Sequence, residues 1–226
     1  MARKYRKKKK LKLSRVFLVI IILAIIGTGV YYVAQIPVKG FYISGNTYYT
    51  DEEILEKTKL NNYPSYLLTS SIIVSQRVKK DELIDNIKIK KTLTGMFNVQ
   101  VNENKILFYD ATKQKSILKN NKEVKYFNEN SPVLVNTIDN KKVYKKFLEK
   151  LDKLNPDIIK NVSEIKYDPN DIDKERFLFS MNDGNYVYLT LSKFNNISNY
   201  LEISNTISDK NGILYLDYGN YFVPKE

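Results

Sequence analysis

Residues 16–36 read VFLVIIILAIIGTGVYYVAQI, and residues 37–46, PVKGFYISGN, follow them directly. Thirteen of the first twenty-one are Val, Ile, Leu or Phe and none is charged, whereas residues 1–15 carry nine Lys and Arg and no acid. A run of this kind crosses the roughly 30 Å hydrocarbon core as a helix, because each backbone group then pairs within the segment where no water is present. Its apolar residues favour insertion by about −4 to −8 kcal/mol in total, before small offsets from Gly27, Thr28, Gly29 and Gln35. The positive-inside rule keeps Arg3, Lys4, Arg6, Lys7, Lys8, Lys9, Lys10, Lys12 and Arg15 in the cytoplasm and sends the rest of the chain across. A cleaved signal peptide would show a shorter apolar core of about 7–15 residues and small residues at the cut. Here the run is longer, and a cut after Ala34 would leave Tyr32 three positions from the bond, so an uncleaved anchor is expected. Lys and Arg runs also neutralise nucleic-acid phosphates. Beside a membrane helix the same charges attract anionic lipid head groups and set orientation, so membrane lipid is the expected partner and nucleic acid is not.

The formal charge of +12 shrinks once the tail is set aside, because nine of the 37 basic residues lie there against 25 acids overall. What remains is a near-balanced, solvated surface with no basic face for nucleic acid. Its length allows one elongated domain or two small ones with real cores. The chain has neither Cys nor His. The extracytoplasmic part therefore folds without disulfides, which fits a bacterial surface better than a disulfide-dense animal ectodomain. Ser-His-Asp and Cys-His arrangements and zinc sites built on imidazole or thiolate are excluded, while paired carboxylates or a Ser-Lys couple stay open. The acidic cluster Asp168-Pro169-Asn170-Asp171-Ile172-Asp173-Lys174-Glu175 looks like a calcium loop at first sight. It places Ile172 at a ligand position and Asp173 where the loop needs Gly, so it is expected to be a solvated loop and no metal site is predicted.

Beyond the anchor the pattern turns to short strands with a few helices. Val38–Ser44 alternates as a strand, with Gly45-Asn46 as its turn. Thr50 and Glu53 make a capping box before a helix from Asp51 to about Lys59 that buries Ile54 and Leu55. Ser71 to about Lys80 reads as a second helix. Ile84, Ile87 and Ile89 mark a strand and Met96–Val101 its partner, so the order is β-α-α-β-β. From about Lys105, strands are expected at Ile106–Tyr109, Ser116–Lys119 and Glu123–Phe127, the last two joined by an Asn120-Asn121 turn. Val143, Phe147, Leu151 and Leu154 recur at helical spacing between Asp139 and Asn155, with Pro156 closing that helix. Strands at Val162–Tyr167 and Arg176–Met181 follow, and Asn182-Asp183-Gly184 forms a hairpin into Tyr186–Leu191. Phe194, Ile197 and Leu201, with Tyr200, Ile203 and Ile207 beside them, make a second amphipathic helix. Ile213–Asp217 and Tyr221–Val223 finish as strands. The fold class is α+β: one transmembrane helix, a β-α-α-β-β domain, then a mostly β domain with two helices.

These residues resemble the bacterial cell-division family called FtsQ or DivIB. The likeness rests on Val38-Lys39-Gly40-Phe41-Tyr42-Ile43-Ser44-Gly45-Asn46, on Thr50-Asp51-Glu52-Glu53-Ile54, and on Leu83 to Met96 leading into Val99, Val101 and Glu103. The family usually has Pro where this chain has Thr94, which implies a looser turn. Val162-Ser163-Glu164-Ile165, Met181-Asn182-Asp183-Gly184 and Leu216-Asp217-Tyr218-Gly219-Asn220-Tyr221-Phe222-Val223-Pro224 are similar to the Gram-positive branch. Each motif is weak alone; their order and spacing behind one membrane helix make the set specific.

The resemblance implies a basic cytoplasmic tail (1–15), a transmembrane helix (16–36), a POTRA domain (37–104) and an extracytoplasmic β domain (105–226). It implies a non-catalytic, single-pass scaffold of the division septum, without a cofactor or small-molecule substrate. Its partners would be the small bitopic proteins FtsL and FtsB or DivIC, with the septal penicillin-binding protein. A terminal strand at a sheet edge offers unpaired amides and carbonyls to which a partner can add a strand, with aromatic anchors alongside. Tyr218, Tyr221 and Phe222 are the expected anchors, with Gly219 permitting close backbone approach; the alternative is that these aromatics only close the domain's own core. A membrane-anchored cell-wall hydrolase or transferase using carboxylates is the other class of function, for which no convergent acid pair is evident. A POTRA-bearing transport component would need a membrane barrel or further POTRA repeats.

Overall fold

The computed structural model describes residues 12–206 and 211–225. The basic residues from Arg3 to Lys10, and Ile207 of the second amphipathic helix, lie outside them. Among the described residues one helix, α1 (Leu13–Ala34), is long and apolar enough to cross a membrane. At 1.5 Å per residue its 22 residues span about 33 Å, and no side chain along it is buried, as suits a helix surrounded by lipid. It begins three residues before the uncharged run, because helical geometry continues into the flanking polar turn. It ends at Ala34 because Ile36 precedes Pro37, whose ring disfavours helical backbone in the residue before it.

The chain divides into two compact units. The first holds α1 and a three-stranded sheet with two helices. β1 (Gly40–Ser44), α2 (Asp51–Thr58), α3 (Ser71–Val78), β2 (Ile84–Lys91) and β3 (Met96–Glu103) follow in the expected order. The sheet order is β1-β3-β2, with β1 parallel to β3 from Gly40 opposite Met96 to Ser44 opposite Gln100. The capping box is complete: the Glu53 amide donates to Thr50 Oγ1 and the Thr50 amide to Glu53 Oε2. Ile54, Leu60, Val74, Phe97 and Val99 are fully buried, while Leu55 is only half-buried. The outer edge of β2 is closed by α3. Ser71 Oγ accepts from the Ile89 amide and donates to the Ile89 carbonyl, and Ser75 Oγ donates to the Ile87 carbonyl.

The second unit takes Lys80–Asp85 and residues from Glu103 onward. Its strands are β4 (Ile106–Asp110), β5 (Lys115–Leu118), β6 (Glu123–Val124), β7 (Val133–Leu134), β8 (Val162–Tyr167), β9 (Arg176–Met181), β10 (Tyr186–Thr190), β11 (Gly212–Tyr215) and β12 (Tyr221–Pro224). They form one nine-stranded sheet in the order β12-β11-β10-β9-β8-β7-β4-β5-β6. Burial alternates residue by residue along β9, so one face is packed and the other is turned outward. The packed face carries α4 (Lys141–Asp152), α5 (Pro156–Lys160), a 3₁₀ segment (Leu191–Asn199) and α6 (Tyr200–Thr206), whose Phe147, Ile158, Phe194 and Tyr200 join Phe177, Phe179, Val187 and Leu214 in one core. Phe147 stacks on Phe177 with centroids 4.7 Å apart and planes 11° apart.

Four expectations change. Pro156 does not close the long helix; Asn155 caps a new one and Pro156 is its first residue, where the missing amide costs nothing. The strand expected at Glu123–Phe127 stops at Val124, since the Tyr126 carbonyl accepts from Ser116 Oγ and Asn128 turns the chain through its bond to Ser131. The second amphipathic helix is a 3₁₀ segment kinked at Lys193 that passes into α6, with Leu201 on its exposed side. Two-residue β7, absent from the sequence reading, bridges β4 and β8 in parallel.

Candidate partner-docking edge of the larger sheet

Among the described residues β12 is the last strand of the nine-stranded sheet and pairs with β11 alone, antiparallel, with Ile213 opposite Val223 and Leu214 opposite Phe222. The Lys225 amide donates to the Asn211 carbonyl at 2.8 Å, and the Leu216 amide donates to the Tyr188 carbonyl at 2.9 Å. Odd-numbered residues of β11 therefore face β12 and even-numbered ones face β10. By antiparallel alternation Tyr221, Val223 and Lys225 spend their backbone groups on β11, and those of Phe222 and Pro224 point out of the sheet. Pro224 has no amide, so Phe222 is the one residue of β12 that offers both an outward donor and an outward acceptor.

The side chains divide between the faces. Phe222 is turned to the core face and packs against its apolar cluster. Tyr221 and Val223, 50% and 45% exposed, lie on the outward face. There Tyr221 stacks on Tyr215 at 4.7 Å, Tyr215 stacks on Tyr188 at 5.3 Å, and the Arg176 guanidinium lies 3.5 Å from the centre of the Tyr188 ring. This row links β9 to the edge. Tyr218 is exposed in the β11–β12 turn, its amide donating to Asp217 Oδ1.

Asp217 secures that turn. Its buried carboxylate accepts from Arg176 Nε at 2.8 Å, and its carbonyl accepts from Lys193 Nζ at 2.8 Å. Arg176 also pairs with Asp168 at 3.1 Å. Burial lowers the Arg176 pKa, and the Asp217 hydrogen bond with the surrounding charges more than offsets it, so the guanidinium is held above its ordinary value.

Of the residues expected from sequence, Tyr218, Gly219, Tyr221 and Phe222 all fall on the terminal hairpin, three on its turn or outward face and Phe222 inward. Gly219 has no backbone atom close enough to require glycine; a β-carbon there would meet only the Tyr221 ring at 3.0 Å. The close approach occurs at Gly212 instead. A β-carbon at Gly212 would collide with the Val223 carbonyl oxygen and lie 2.5 Å from Phe222 Cζ, so glycine lets Phe222 cross β11. The Gly212 amide donates to Asn185 Oδ1 at 2.9 Å, which ties the start of β11 to β10. Nothing in the sequence pattern marks Gly212, Arg176 or Tyr215 for this edge, and Asp217 enters only as part of the Leu216–Pro224 motif; the alternation in β9–β11 is the available signal for the tyrosine row.

A family model for the FtsQ-type POTRA domain matches residues 36–104. Over 97% of its length the chain is similar to the cell division protein DivIB of Listeria monocytogenes, 25% identical and covering 84% of that protein. It is likewise similar to DivIB of Bacillus subtilis, 26% identical over 97% of this chain and 87% of the relative. DivIB of Staphylococcus pseudintermedius is 27% identical over 83% of the chain and 67% of the relative. Among solved structures, the major extracytoplasmic domain of the trans isomer of DivIB from Geobacillus stearothermophilus is 25% identical, with a TM-score of 0.39, covering 48% of this chain and 97% of that one.

Proposed function

From the premise that this chain belongs to the FtsQ/DivIB family of bacterial cell-division proteins, we propose that it is a non-catalytic, single-pass scaffold that captures partners by strand addition at β12. The carrying observation is the outward amide and carbonyl of Phe222, flanked by exposed Tyr221, Val223 and Tyr218. An extended partner segment pairs with that backbone, and its alternate side chains meet the tyrosine row. Rigid, half-exposed aromatics lose little entropy on contact, which favours them as anchors. Phe222 acts through its backbone and by holding the strand on Gly212; Gly219 and Tyr218 shape the turn that presents it.

The partners are small bitopic membrane proteins of the FtsL and FtsB/DivIC type, and through them the septal penicillin-binding protein. The N-terminus is cytoplasmic, residues 37–104 and 105–226 work as two extracytoplasmic domains, and the chain gathers at the septum. A sequence with no His and no Cys lacks the triads and zinc sites built on those residues, which narrows the catalytic arrangements open to it.

In-cell photocrosslinking scanned along Ile213–Val223 tests site and partner together. Partner crosslinks are expected at Tyr221 and Val223 and not at Leu214, which faces the core. Crosslinks only within the chain would overturn the site, as would undiminished co-purification of the partners after deletion of 213–226.

A further inference from the structure

The first unit carries an apolar surface that its own fold does not cover. Leu93, at the tip of the β2–β3 hairpin, is fully exposed; Ile72, Leu68 and Leu67 are 71%, 64% and 49% exposed. They sit close together. Lys91 Nζ donates to the Leu67 carbonyl at 2.7 Å, and Tyr66 Oη donates to the Thr92 carbonyl at 2.6 Å. The loop before α3 and the hairpin tip are thus one surface. Four apolar side chains in water are costly unless something apolar meets them.

The same surface is bonded to the chain where it leaves α1. The Tyr66 amide donates to the Ile36 carbonyl at 2.9 Å, Pro37 bridges Ser65, and the Lys39 amide donates to the Gly95 carbonyl at 2.9 Å. Ile36 is two residues beyond Ala34, a reach of about 7 Å when fully extended. A bilayer's polar layer is about 5–8 Å thick on each side, from the difference between its total and hydrocarbon thickness. Tyr31 and Tyr32 close α1 with the aromatic pair that favours the membrane–water boundary. A reach that matches the thickness of the polar layer keeps the residues bonded to Ile36 and Pro37 at or near the head groups. Residues 36–44, 63–72 and 88–96 contain four lysines, Lys39, Lys88, Lys90 and Lys91, and no acid, a charge that suits anionic lipid.

We propose that Leu67, Leu68, Ile72 and Leu93 rest in the head-group layer of the bilayer that α1 crosses, so that the small sheet is seated on the membrane. This rests on α1 being a membrane anchor. β1 then leads away from the surface, and Glu52 on α2, beyond its far end, stands in water.

The chain lacks cysteine, so single substitutions carry one label each. Full-length protein labelled with an environment-sensitive fluorophore at Leu68→Cys, Leu93→Cys, Tyr32→Cys or Glu52→Cys is reconstituted into phosphatidylglycerol–phosphatidylethanolamine vesicles containing lipid with a nitroxide near the head group. Blue-shifted, quenched emission is expected at Leu68 and Leu93 as at Tyr32, and none at Glu52. Quenching at Tyr32 with Leu68 and Leu93 behaving like Glu52 would overturn the seating and leave the anchor intact. Loss of quenching at Tyr32 as well would instead remove the anchor on which the seating rests. Shielding of Leu68 and Leu93 that appears only at high protein-to-lipid ratio, without nitroxide quenching, would assign the surface to a second copy of the chain and overturn the membrane as its occupant.

Discussion

The two ends of the nine-stranded sheet are built on opposite plans. β6 is two residues long, and its Glu123 is held by Lys113 at 2.9 Å and Lys115 at 2.8 Å on the neighbouring strand and turn. Short length and paired charge are devices that keep a sheet edge from recruiting another strand. β12 has none of the charge, is twice as long, and is stiffened from behind by a row of rings ending at Arg176. Among the described residues, then, one end of the sheet carries the features that discourage strand addition and the other does not.

The largest effect on the β12 end is expected from a residue outside β12 itself. Arg176→Ala leaves the buried Asp217 carboxylate without its guanidinium, and removing one partner of such a pair is expected to cost about 2–3 kcal/mol, discounted for the partial exposure of Arg176. Denaturant unfolding should show that loss, and R176M/D217N should recover most of it. A variant as stable as the parent would mean that the hairpin is held elsewhere. Gly212→Ala comes next: forcing β12 off β11 should cost about 1–3 kcal/mol and speed hydrogen exchange at the Tyr221 and Val223 amides, with Phe177 and Phe179 still protected. Equal protection of β12 would show that the strand can yield. Tyr221→Ser, which removes one stacked pair, should lower stability by about 0.5–1 kcal/mol while abolishing partner capture in a pull-down.

The smallest effect belongs to the closed end. Hydrogen bonds from Lys115 and then Lys113 hold the Glu123 carboxyl down at about 2. Its folded value lies below its unfolded value, so the unfolded chain takes up the proton first as pH falls. The contribution is complete above the ordinary carboxylate range and is lost as pH drops toward 2. Because Glu123 is largely in water, the difference between parent and Glu123→Gln across pH 5 to 2 should stay within about 1 kcal/mol. A steep difference would make β6 a structural clamp and weaken the contrast.

Most of this architecture was legible in the chain. The capping box at Thr50 and Glu53, the β-α-α-β-β order and the Asn182-Asp183-Gly184 turn are local signals, and each sits where its chemistry places it. What escaped has a physical cause in each case. β7 is too short to show a period, and its pairing is decided by β4 and β8 on either side. Asn155-Pro156 reads equally as a stop and as a start, and burial of Ile158 and Ile159 decides for the start. Gly212 follows Asn211 and looks like a turn residue; only the arrival of Phe222 from ten residues on reveals why a side chain is barred. The hairpin's terminal position was readable, but the division of its residues between two faces depends on register, which Lys225 and Asn211 set across the strands.

Pro224 has a last consequence. With no amide at that residue, a segment added as proposed would find a donor and an acceptor at Phe222 but only the carbonyl at Pro224, and each net backbone bond contributes only about 1 kcal/mol. Such a grip is brief and easily undone, and it cannot template the stacking of one copy upon the next. For the strand addition proposed above, that predicts a contact that forms and releases readily.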